Sequence, residues 1–160
     1  MSGPAGTSDG GRFPGFDSAA QAPHWDAVTA GVVLSRLGMP PVVRFFSPAE
    51  QAIATALCDQ LLDQAEGARL PLVNQIDARL AEKETDGWRY EGMPEDGKAW
   101  RLSLAALDAD AVSQHGCGFA ASPAHDQAKL VQAVQDLGSG DWHGLNAGHV
   151  WSLWTRYACT

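Results

Sequence analysis

Several things are scarce in this chain, and each scarcity excludes a class. No apolar run approaches the roughly 20 residues that a membrane-spanning helix needs. The most apolar early stretch, Val28 to Leu37, is broken by Thr29, Gly31, Ser35 and Arg36. The first twenty residues hold neither the apolar core of a secretory signal nor paired arginines. The expectation is a chain that is cytoplasmic as synthesised, with a periplasmic location in complex as the alternative. Cysteine is sparse: Cys58, Cys117 and Cys159 are odd in number and widely spaced. That argues against a disulfide framework and for folding in a reducing compartment. Basic residues are few, 11 Lys and Arg against 19 Asp and Glu, for a net charge of −8. A nucleic-acid binder would carry the opposite electrostatic footprint. Strand patterning is also missing, since no run of β-branched residues alternates with period two. Phosphate loops, dinucleotide fingerprints, HExxH, CxxC and GxSxG elbows are all absent.

What is present reads as helices. The 160 residues suit one domain, and 45% hydrophobic residues supply its core without metal or disulfide. Residues 1–11 are rich in Gly and Ser and read as a disordered tail. Val28, Val32, Val33 and Leu37 recur at helical spacing, and Gly38 with Pro40-Pro41 ends that helix. Ser47-Pro48-Ala49-Glu50 is a capping box with proline at the first helical position. Behind it Ile53, Leu57 and Leu61 share a face, and Gly67 closes the segment. Phe45 or Phe46 is placed to staple the first turn.

A helix over residues 71–83 follows, with a stripe of Leu72, Val73, Ile76 and Leu80. Thr85 to Gly97 reads as a turn-rich loop. Residues 98–115 form the next helix, with Trp100, Leu102, Leu104, Leu107 and Val112, ended by Gly116 and Gly118. Ser122-Pro123 opens another, with Leu130, Val131, Val134 and Leu137 as its stripe. The last begins near Asn146 and carries Val150, Trp151, Leu153, Trp154 and Tyr157. The fold class is all-α: a single compact domain over residues 12–160, of five or six helices and no internal repeat. The final helix is apolar and stops without a capping Gly, Asn or Pro. Its tryptophans complete the core, mark a partner surface, or signal a chain shorter than its natural length.

Chemistry is harder to find. His115-Gly116-Cys117 is the best metal or thiol candidate, with partners to come from His125, His143 or His149. The competing reading is a helix C-terminus whose carbonyls His115 caps. Glu82, Glu84, Asp86, Glu91, Glu95 and Asp96 cluster in sequence. Acid–base work would require a fixed separation within a pocket, and a solvated face is the simpler account. Six tryptophans, five of them from Trp88 onward, read either as an aromatic interface or as core packing.

The chain also resembles a family. Phe45 to Glu50, Leu70-Pro71-Leu72-Val73 into Ile76-Asp77-Ala78-Arg79-Leu80, and Trp88-Arg89-Tyr90-Glu91-Gly92-Met93-Pro94 look like the gluconate 2-dehydrogenase subunit 3 family. So do Trp100 to Asp108, Gly118-Phe119-Ala120 with Gln127, and Trp151 to Cys159. Arg12 to Asp17 and His24-Trp25 fit its longer members. The resemblance implies a bacterial, non-catalytic small subunit without a cofactor or catalytic residue of its own. It implies a large FAD-dependent partner of the glucose–methanol–choline type, which oxidises a sugar, sugar acid or polyol. A cytochrome c subunit often takes the electrons. It further implies that the small subunit supports maturation of the large one. Many members carry a twin-arginine signal, which is missing here, and continue in an aromatic, Gly- and Pro-rich tail, so truncation is expected. The residues expected to meet the partner are Trp88, Tyr90, Met93, Trp151, Trp154 and Tyr157. The other readings are a stand-alone helical binding module or chaperone, and a small metal enzyme built on His115 and Cys117.

Overall fold

The structure is a computed structural model that describes residue 17, residues 19–64 and residues 70–159. The tail expected to be disordered lies outside these residues, and so does Gly67. The chain divides into two compact units, Met1–Met39 and Pro40–Thr160. That division falls inside the span 12–160 that the sequence presents as one domain.

The first unit contains a 3-10 turn, Ala19–His24, and helix α1, Ala27–Leu37. The helix starts where Asp26 accepts bonds from the amides of Val28 and Thr29, at 3.0 and 2.9 Å, and from the Thr29 hydroxyl at 2.6 Å. The Thr29 hydroxyl, more than any other partner, holds the Asp26 carboxyl below its usual range. The helix is as predicted, but among the described side chains of its stripe only Val33 is even half-buried. Val28 is 77% exposed, and Val32 and Leu34 are exposed too. Local capping by Asp26 starts this helix. Gly38 is extended rather than left-handed, leading directly into Pro40-Pro41.

The second unit is a helical bundle. Its helices are α2 (Pro48–Leu62), α3 (Leu72–Glu82), α4 (Asp96–His115), α5 (Ala124–Asp136) and α6 (Ala147–Ala158). A 3-10 turn at Phe119–Ala121 joins α4 to α5. Helix α2 touches each of the others, so Leu57 and Cys58 sit at the centre. Trp100, Leu104, Leu107, Phe119, Val150 and Trp154 complete the core. No helix among the described residues is long and apolar enough to cross a membrane.

The capping box at Ser47 forms in both directions: Glu50 N–H donates to Ser47 Oγ, and Ser47 N–H donates to Glu50 Oε2. Phe46, which precedes the cap, turns into the core. It is buried, edge-on against Trp100 with centroids 6.0 Å apart. Helix α2 ends at Leu62, with Asp63 left-handed, rather than running on to Gly67. Helix α4 starts two residues earlier than predicted because Glu95 caps it by accepting from Lys98 N–H. Gly97 is thereby helical, and a Cβ there would come within 3.0 Å of the Phe45 ring. Leu102, Val112 and Leu137 point outward, so three residues assigned to apolar stripes are solvent-facing.

One element was not anticipated. Asp141–Trp142 (β1) pairs antiparallel with Leu145–Asn146 (β2). Two-residue strands are too short to show alternation. Their turn is His143-Gly144, with φ of 52° and 79°, the positive pair that a type I′ hairpin requires.

Candidate partner-docking surface

The bundle is locked by buried polar groups that tie distant segments together. Asp77 on α3 is fully buried. Its carboxylate accepts from the backbone N–H groups of Arg44, Phe45 and Phe46 at 2.6, 2.8 and 2.7 Å. Such charge-assisted bonds offset the cost of burying the charge. Asp108 accepts from Phe119 N–H at 2.8 Å, and Gly118 leaves the room, since a Cβ there would lie 2.8 Å from the same oxygen. Gln127 donates to the carbonyls of Phe119 and Ser122. Trp154 N–H donates to Ser103 Oγ at 2.9 Å. These are residues of the segments that carry the family resemblance, and they hold the fold together.

The exposed aromatic surface lies where residues 85–94 cross α6. Tyr90 stacks on His149 with centroids 3.9 Å apart and planes at 2°. Trp88 meets Tyr90 edge-on at 5.2 Å. The Arg156 guanidinium lies 4.9 Å from the Trp88 ring centroid. Arg156 also donates to Asp86 Oδ2 at 2.7 Å and to Asp96 Oδ2 at 3.3 Å. Tyr157 O–H donates to the same Asp96 oxygen at 2.8 Å. Burial, then this bond to a carboxylate, pushes the Tyr157 phenol well above its usual value. Trp88, Tyr90, Met93, His149, Leu153 and Arg156 line a cavity of about 10 Å³, room for one water. A drug-sized ligand pocket is tens of times larger, but this aromatic tier also borders an open depression of about 370 Å³ lined by Thr85, Gly87, Trp88, Arg89, Glu95 and Asp96.

The six sequence candidates separate into three groups. Trp88 and Tyr90 are exposed, at 51% and 40%. Met93 and Trp151 are half-buried and pack against the core. Trp154 and Tyr157 are buried, which corrects their assignment to a partner surface. With Val150 and Leu153 they occupy the inward face of α6, and each polar atom is taken by Ser103 or Asp96. His149 and Arg156, which the sequence reading left out of the surface, lie on the adjacent face. The spacing 149, 152, 156 was the available signal.

The alternative sites do not assemble. Among the described residues no group of three or more His, Cys, Asp or Glu side chains converges as a metal site. His115 faces Asp126 at 3.9 Å, and Cys117 Sγ lies 3.4 Å from Ser122 Oγ. His143 pairs with Asp110 of α4 at 2.7 Å. Burial tends to raise the Asp126 carboxyl, but the Lys129 hydrogen bond and the neighbouring His125 and His115 hold it below the usual range. The acidic cluster is only partly a solvated face. Asp96 is buried, Asp86 pairs with Arg79 and Arg156, and Glu82 pairs with Arg44. A depression of about 640 Å³ is an open groove between α2 and α5 lined by Ala52, Ala56, Ala124, Gln51 and Gln127, with Asp59 as its ionisable group.

The family model described as gluconate 2-dehydrogenase subunit 3 matches residues 48–160, well over half of the chain. The chain belongs to this family. The match begins at the first residue of α2 and takes in the aromatic tier, the Asp77 and Asp108 clamps and all of α6. Arg12 to Asp17, His24-Trp25 and Phe45-Phe46, which the sequence also linked to the family, lie before it. No curated protein and no solved structure shows a significant match. The family is named for a subunit of a gluconate dehydrogenase, which implies that this chain is one part of an assembly.

Proposed function

We propose that this chain is a non-catalytic small subunit that binds, stabilises and helps mature a large FAD-dependent dehydrogenase of the glucose–methanol–choline type. The observation that carries the reading is the tier of exposed Trp88 and Tyr90 with half-buried His149, on a bundle whose other large aromatics are mostly consumed by the core. Its mechanism is burial. Aromatic side chains at the centre of an interface contribute most of its binding energy. Trp88 and Tyr90 present that area already ordered, which lowers the entropic cost of docking. Oxidation of the sugar, sugar acid or polyol would take place on the partner, with a cytochrome c subunit as the electron acceptor. The complex would be assembled before any export to the periplasm.

Co-expression of the tagged chain with the neighbouring flavoprotein gene tests this. The expected eluate is a yellow one-to-one complex that reduces a dye when sugar is added. A colourless, folded chain without a companion would remove the reading.

A further inference from the structure

Thr85–Pro94 has the build of a strap. It bends at Gly87 and Gly92, both at positive φ (75° and 80°). Among the described residues its backbone hydrogen bonds stay within the strap: Gly87 N–H to Thr85 Oγ1 at 3.3 Å and Met93 N–H to Tyr90 O at 3.1 Å. Side chains tie it down instead. Asp86 reaches Arg79 on α3 at 3.1 Å and Arg156 on α6 at 2.7 Å, Trp88 lies against Arg156, and Tyr90 lies on His149.

Arg156 is the junction of these ties. It holds Asp86 of the strap and Asp96 of α4 while its guanidinium contacts the Trp88 ring, and its side chain is 18% exposed. An exposed single ion pair would hold little. A half-sheltered planar fork that meets two carboxylates and an aromatic ring constrains far more, and lysine cannot reproduce it.

We propose that Arg156 is a positioning residue, a clasp that holds the strap so that Trp88 and Tyr90 stand in their docking arrangement. The clasp is a property of this chain alone. Its consequence for docking rests on the accessory-subunit reading above.

The test is amide hydrogen exchange on the full chain, comparing wild type with Arg156→Lys. Exchange at the two bonded strap amides, Gly87 and Met93, should rise about tenfold, while α2 and the core of α4 keep their protection. Asp86→Asn should act in the same direction from the strap side, and it serves as the test if Arg156→Lys does not fold. Unchanged exchange in the strap would overturn the proposal. So would an equal rise in α2 and α4, because Arg156 would then hold the whole unit and not the strap. In the co-expressed complex, Arg156→Lys should weaken capture of the flavoprotein subunit about tenfold, because the ordering cost moves into the binding step. Failure of the wild-type chain to capture that subunit would count against the accessory reading and leave the exchange result standing.

Discussion

At the scale of the residue, buried polar groups carry the specificity of this fold. Asp77 receives three backbone N–H groups from residues more than thirty positions away. Asp77→Ala would leave those donors to compete for water at a buried site. It should lower the unfolding free energy by about 3 kcal/mol, read as a shift of the urea midpoint with an unchanged slope. Two further buried groups set an alkaline limit. Burial raises the Cys58 thiol from 9.0 to about 12, with Asp59 adding to it, and the Tyr157 phenol is raised above 10.0. Each group keeps its proton in the folded chain at a pH where the unfolded chain loses it. Their contribution is complete below about pH 9 and is lost as the pH rises further. The urea midpoint should therefore fall steadily from pH 9 to pH 11. A thiol reagent at pH 8 should label exposed Cys159 and spare Cys58 until the chain unfolds.

At the scale of the element, α6 has two distinct faces, one in the core and one in the aromatic tier. Its inward face is interior, and Trp154→Ala should cost about 3–5 kcal/mol of stability through lost packing and an orphaned Ser103. Trp88→Ala should cost about 1 kcal/mol or less, since the ring is half exposed, and should act instead on capture of the partner. Thermal melts of the two variants beside their co-purification yields would separate the roles. Equal destabilisation by both would place Trp88 in the core and not on a docking surface. Helix boundaries were legible where a local cap was recognised, as at Ser47, Asn146 and Gly116. They were missed where the cap was read as part of a loop, as with Glu95, or where glycine was trusted over a left-handed aspartate, as at Asp63.

At the scale of the whole molecule, the chain divides at Met39. The second unit contains the connected core, and all the buried hydrophobic residues described belong to it. A chain beginning at Pro40 should therefore keep a single cooperative urea transition, with its midpoint close to that of the full chain. Loss of cooperativity would mean that the first unit supports the second. Periodicity, caps and breakers by themselves determined the helical class, the order of the helices and most of their ends, because those depend on contacts three or four residues apart. The aromatic content of the last helix was equally visible, but its division was not. Whether Trp154 or Trp88 meets solvent depends on which face α2 and α4 cover. Whether Asp96 is a surface charge or the partner of Arg156 and Tyr157 depends on groups sixty residues away in sequence. Only the tertiary structure brings such groups within hydrogen-bond reach, and burial then decides which of them the core takes and which remain for a partner.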